Sequence, residues 1–114
     1  MPVLKIQTNT ELNPIDRSEL LTQASATVAT MLGKPERYVM VMLENNSDMV
    51  FSGSNTPLAY LELKSIGLPS DRTVEFSEAL SNLLSEHLNI PADRVYIEFA
   101  DAQRHMWGWN GGTF

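Results

Sequence analysis

The sequence offers one unusual reactive group, and it lies at the start of the chain. Met1 precedes Pro2, and an initiator methionine is commonly removed before a small second residue. Removal exposes a secondary amine at the head of a strand-like run. An α-amino group titrates near ~7.7–8.0, and lower when desolvated or set beside a cation. Such an amine serves as a general base near neutral pH without any histidine. A Met-Pro start is also what an ordinary processed N-terminus looks like, and its own residues do not separate the two readings.

The other reactive inventories are thin. With no cysteine in the chain, disulfides, thiolate metal sites and cysteine nucleophiles are excluded. His87 falls in the last turn of a helix, where a cation suits the dipole. His105 sits beside Arg104 ahead of an aromatic tail. Neither histidine has an acid or nucleophile motif beside it, and the two do not have metal-ligand spacing. Glu75, Glu78 and Glu86 fall on a polar helix face, and Gly67, Gly108, Gly111 and Gly112 form no phosphate loop. No cofactor or metal is called for. With 8 basic and 14 acidic residues the net charge is −6, which makes nucleic acid an unsuitable partner.

The elements that must position these groups come twice. A length of 114 residues fits one domain over 1–114. A content of 43% hydrophobic and 19% charged residues supports a core rather than a disordered acidic chain. No apolar run approaches the ~18 residues of a membrane span, and the N-terminus lacks a signal peptide's basic and apolar regions. A cytoplasmic protein with no membrane partner is expected. Lys34-Pro35-Glu36-Arg37-Tyr38-Val39 reads against Ile90-Pro91-Ala92-Asp93-Arg94-Val95, with the prolines 56 apart and the arginines 57. That is half the chain, and it divides the sequence into a pseudo-repeat of 2–57 and 58–114.

Each half reads β-α-β. Pro2–Thr8 and the alternating run Ala59–Ile66 are the leading strands. Asn13-Pro14 is an N-cap followed by proline at the first helical position. Leu20, Leu21, Ala24, Val28, Met31 and Leu32 then form one stripe, ended by Gly33. In the second half Ser70 or Asp71 caps a helix whose stripe is Phe76, Ala79, Leu80, Leu83, Leu84 and Leu88, ended by Asn89 and Pro91. Tyr38–Leu43 is continuously apolar, the pattern of a strand covered on both faces, and Val95–Ala100 matches it apart from Glu98. Right-handed crossovers place both helices on one face of a four-stranded sheet, an α/β (α+β) architecture. The linker 44–57 is a surface excursion, and the tail from Met106 carries Asn110-Gly111 as a turn between aromatics. The opposite sheet face reads as too apolar for water, so a closed cyclic oligomer is expected.

These residues together resemble a known family. Pro2 after Met1, Gly33-Lys34-Pro35-x-x-Tyr38, Phe51-Ser52-Gly53, Lys64-Ser65-Ile66-Gly67, Pro91-Ala92-Asp93-Arg94-Val95-Tyr96-Ile97 and Gly108-Trp109-Asn110-Gly111-Gly112-Thr113-Phe114 are similar to the macrophage migration inhibitory factor family of the tautomerase superfamily. The match is collinear over essentially the whole chain. It implies a tautomerase-like fold and a homotrimer with active sites at subunit interfaces. The implied activity is cofactor-independent keto–enol tautomerisation of a small aromatic keto/enol acid of the phenylpyruvate type. Pro2 would then be the catalytic base and Lys34 would bind the carboxylate and hold the amine neutral. The Ile66 N–H, after Ser65, would donate to the bound acid. Tyr96 would come from the adjacent subunit, and Tyr38, Trp107 and Phe114 would form apolar walls.

Read as bare residues, these positions also have structural roles. Lys34 complements a helix dipole, Tyr96 fits an apolar strand, and Ile66 ends one. The chain also departs from the family. Glu98 stands where many animal relatives have asparagine, at the expected pocket lip, where it could pair with Lys34 or Arg104. Trp107 replaces a smaller apolar residue. The thiol motif of some animal members falls at Pro57-Leu58-Ala59-Tyr60, so that redox activity does not transfer. The cytokine role of animal relatives implies a second class of function, a signalling protein with a vestigial pocket and a receptor as partner, released without a signal peptide.

Overall fold

In the computed structural model, which describes residues 1–114, the two β-α-β halves are joined edge to edge. The first comprises β1 (Val3–Thr8), α1 (Pro14–Leu32) and β2 (Met40–Asn45), and the second β3 (Ala59–Ile66), α2 (Thr73–Leu88) and β4 (Val95–Ala102). The sheet order is β2-β1-β3-β4. Within each half the strands are parallel, β1 with β2 and β3 with β4, and the halves meet where β1 runs antiparallel to β3. A two-residue hairpin, β5 (Gly108–Trp109) with β6 (Gly112–Thr113), closes the chain. Asn110 and Gly111 both have positive φ, 53° and 77°, as the Asn-Gly signal requires of a tight hairpin turn.

The local signals act as physics demands. The Asn13 side chain accepts from the Asp16 N–H at 2.8 Å, satisfying an otherwise orphaned donor of the first turn. Gly33 takes the left-handed conformation (φ 63°), letting its own N–H and that of Lys34 reach the Thr30 and Ala29 carbonyls. Leu20, Ala24, Val28 and Leu32 of α1 and Phe76, Leu80, Leu84 and Leu88 of α2 pack with Leu4, Ile6, Leu61 and Leu63 in one core. Those strand residues alternate with exposed or half-buried neighbours, so the helices cover one face of the sheet. No helix is long and apolar enough to cross a membrane.

Four expectations need correction. Tyr38 is not in β2. Pro35 opens a 3-10 turn, Glu36–Tyr38, whose bonds run from the Tyr38 N–H to the Pro35 carbonyl and from Val39 to Glu36, so the strand starts at Met40. The same turn, Ala92–Arg94, follows Pro91, with Arg94 bonded back to Pro91. The prolines are therefore the true equivalents, and Tyr38, not Arg37, holds the place of Arg94. The second helix starts later than Ser70 or Asp71 suggested. Pro69 leads a tight 3-10 turn, Ser70–Arg72, which uses those residues, and no side chain caps α2.

The third and fourth corrections concern the sheet's uncovered side. Strand β2 is not covered on both faces, because it is an edge strand with Met40 57% and Met42 39% exposed. That face is also less apolar than expected. The register aligns Lys5 with Glu62 and Glu62 with Glu98, and Tyr60 lies beside them. The Tyr60 hydroxyl bonds Glu98 at 2.7 Å and Glu62 at 3.1 Å. The β-branched and aromatic run reads as apolar strand, but alternation puts its charged members on one side.

Candidate active site

The N-terminus, the turn after α1 and the aromatic tail converge on a cleft of about 220 Å³, lined by Met1, Val3, Arg37, Tyr38, Val39, Met40, Trp107, Gly108, Trp109 and Phe114. Its inner end is set by sheet pairing. The Met40 N–H donates to the Pro2 carbonyl at 3.0 Å and the Met1 ammonium to the Tyr38 carbonyl at 3.2 Å. Pro2 is fully buried. Burial, and then the positive charge of Lys34, lower the pKa of the terminal amine. Both causes disfavour the ammonium form, so the free amine is present at lower pH than on an ordinary chain end. Lys34 directly follows the helix stop at Gly33, its own N–H bonded back to the Ala29 carbonyl.

Three rings form the walls. Trp109 stacks on Phe114 (centroids 5.4 Å, 17° between planes), and Tyr38 meets each of them edge-on at 5.7 Å. Trp107 accepts the Phe114 N–H on its carbonyl at 3.2 Å, which folds the tail back on itself. The arrangement suits a flat apolar ring, and the one titratable amine sits at its end.

The structure thus brings together Pro2, Lys34, Tyr38, Trp107 and Phe114. Ser65 and Ile66 share this end of the sheet, since one step beyond the Val3–Lys64 pair sets Ser65 beside Pro2. Both are buried and neither lines the cleft. Tyr96 and Glu98 lie elsewhere. Tyr96 pairs with Tyr60, five residues before Ser65 on β3, about 16 Å along the strand at ~3.3 Å per residue. Its ring packs on Phe51 at 4.5 Å and is 66% exposed. Glu98 accepts from Tyr60 and makes no ion pair with Lys34 or Arg104. Neither histidine lines the cleft, and no group of His, Asp and Glu is arranged to hold a metal. Sequence reasoning passed over Trp109 and Arg37 as site residues. Trp109 had a signal in its spacing, because residues two apart in an extended strand share a face with Trp107 between tight-turn glycines. Arg37 had none.

A β-α-β tandem with an N-terminal amine just ahead of its first strand defines a class of fold, and solved structures of that class superpose closely. A macrophage migration inhibitory factor homologue from Prochlorococcus marinus aligns with a TM-score of 0.91 and 44% identity over 98% of both chains. The Toxoplasma gondii protein gives 0.92 and 33%, covering 98% of this chain and 99% of that one. The family model "Macrophage migration inhibitory factor (MIF)" matches residues 1–114. A Brugia malayi homolog is 43% identical over all of this chain and 99% of its own length, and the Mus musculus protein 36% over the same shares. The chain belongs to the macrophage migration inhibitory factor family.

Proposed function

We propose that this protein is a keto–enol tautomerase of arylpyruvate-like acids, with the Pro2 amine as general base once Met1 is removed. The observation that carries the reading is the chain end itself: the part-buried Met1 amine, its pKa lowered by burial and by Lys34, lines an aromatic cleft one residue from the buried Pro2. Removing Met1 leaves the Pro2 nitrogen one residue deeper in the same surroundings. That nitrogen takes the enol hydroxyl's proton, or in reverse the proton on the carbon next to the ketone, and returns it to the other atom. Lys34 holds the substrate carboxylate and Tyr38, Trp107 and Phe114 hold the ring. The Ile66 N–H, after the buried Ser65 at the same end of β3, would be the neighbouring anion donor.

Tyr96 lies too far from Pro2 to serve its own chain's site, so the reading needs a second copy, and a homotrimer is the assembly proposed. The open edges β2 and β4 and the exposed Met40 and Met42 support it. Glu98, two residues after Tyr96, comes with it to the pocket lip. The test pairs intact mass with a phenylpyruvate assay. Protein lacking Met1 should convert the enol, and Pro2→Gly should lose most of the rate. Full activity in protein that retains Met1, whose Pro2 nitrogen is an amide, would refute the mechanism. The relatives' name, macrophage migration inhibitory factor, favours a second reading, a signalling protein with a receptor partner. Receptor binding undiminished by Pro2→Gly is the result that would support it.

A further inference from the structure

Arg37 is the one charged side chain lining the cleft, and the proposed reaction does not use it. It lies in the turn that presents Tyr38, with its guanidinium 4.8 Å from the centre of the Tyr38 ring. No Asp or Glu lines the cleft, and Arg37 is in none of the ion pairs. The chain has 14 acidic residues for 8 basic ones, so a cation with no carboxylate partner needs a reason. Three basic side chains are held in ion pairs and two more donate to backbone carbonyls. Lys34, Arg37 and Arg104 are left, and of these Arg37 lines the cleft. Lys34 faces the terminal amine, whereas Arg37 lies exposed against the aromatic wall.

The geometry points to Arg37 as a specificity-determining residue that reads a second anionic group on the substrate. The ligand class is an aromatic 2-keto acid whose ring carries a further carboxylate at the end away from the keto acid. A planar guanidinium beside an aromatic wall suits this task, because it can offer two parallel N–H donors to a carboxylate while its face rests on a ring. Lys34 would hold one carboxylate beside the base, and Arg37 the other at the rim. An uncharged ring end would gain nothing there. This assignment rests on the tautomerase reading for its keto-acid half, but not for its anion half.

The test compares phenylpyruvate with 4-carboxyphenylpyruvate in protein lacking Met1. The diacid should be preferred by about 3- to 10-fold in kcat/KM, the worth of one partly exposed charged contact. In Arg37→Gln that ratio should fall to about one, and Arg37→Lys should restore part of it, a recovery that a merely structural role would not give. The same ratio in wild type and Arg37→Gln overturns the assignment. Calorimetric binding of the inert pair phenylacetate and 4-carboxyphenylacetate makes the test independent of turnover. Discrimination that depends on Arg37 but without turnover would keep the anion site and remove the tautomerase reading. Turnover without discrimination would do the reverse.

Discussion

Replacing Arg94 with alanine should loosen the linker that presents Tyr96. Its guanidinium reaches four carbonyls of that segment: Phe51 at 2.6 Å, Ser54 at 3.0 Å, Thr56 at 2.9 Å and Pro57 at 3.4 Å. It also lies 5.2 Å from the Phe51 ring centre, and that ring carries Tyr96. The Thr56 and Pro57 contacts are exposed, so water replaces them at little cost. The Phe51 and Ser54 contacts are partly buried. At about 1.5 kcal/mol for each charged hydrogen bond, their loss destabilises the fold by about 3 kcal/mol. For a chain of this size that lowers Tm by about 12 °C at fixed protein concentration. Asn9 still ties the linker through Asn55 and Leu58, so the variant should fold. Arg94→Lys should recover less than half, because one ammonium cannot span four carbonyls. Urea and thermal denaturation read the stability, and kcat/KM reads the site. A loss below about 1 kcal/mol in Arg94→Ala, or a lysine variant equal to wild type, would refute the clamp.

Three further outcomes are expected. Lys34→Gln removes the like charge that helps depress the terminal amine, so the amine's pKa rises. On the proposed mechanism the neutral Pro2 amine is the active form, so with Met1 removed the acid limb of the kcat/KM profile should move to higher pH, together with a raised KM for the carboxylate substrate. Asn13→Ala should cost about 1 kcal/mol in urea denaturation, since the Asp16 N–H loses its acceptor. The Tyr60 phenol is pushed above its usual pKa, first by its bond to Glu98 and then by burial and Glu62. Glu98→Gln should move Tyr60's tyrosinate absorbance to lower pH, and an unmoved titration would show that this bond is not formed in solution.

The site was legible in unequal parts. Asn13-Pro14, Gly33 and the two apolar stripes are local codes, each acting within a turn or two, and the structure uses them as read. The Asn110-Gly111 hairpin is of the same kind. Boundaries next to proline were harder. Pro35 and Pro69 lead 3-10 turns that consume residues resembling the ends of a strand or helix, and the pattern of apolar residues is blind to that switch. The family resemblance supplied the roles proposed for Pro2, Lys34 and Tyr96, which periodicity alone leaves open.

The sequence by itself determined two β-α-β units, their caps, their core faces and the absence of thiol chemistry, because these depend on residue type and near-neighbour spacing. Only the tertiary structure decided which ends meet. The antiparallel join of β1 to β3 and the parallel pairing of β1 with β2 bring Met1 and Pro2 to Tyr38. The tail then folds Trp109 and Phe114 against that turn from some seventy residues further on. The same pairing sets Tyr96 at the other end of the sheet from Pro2. Pairing partners and register are non-local choices, fixed by the packing of whole faces.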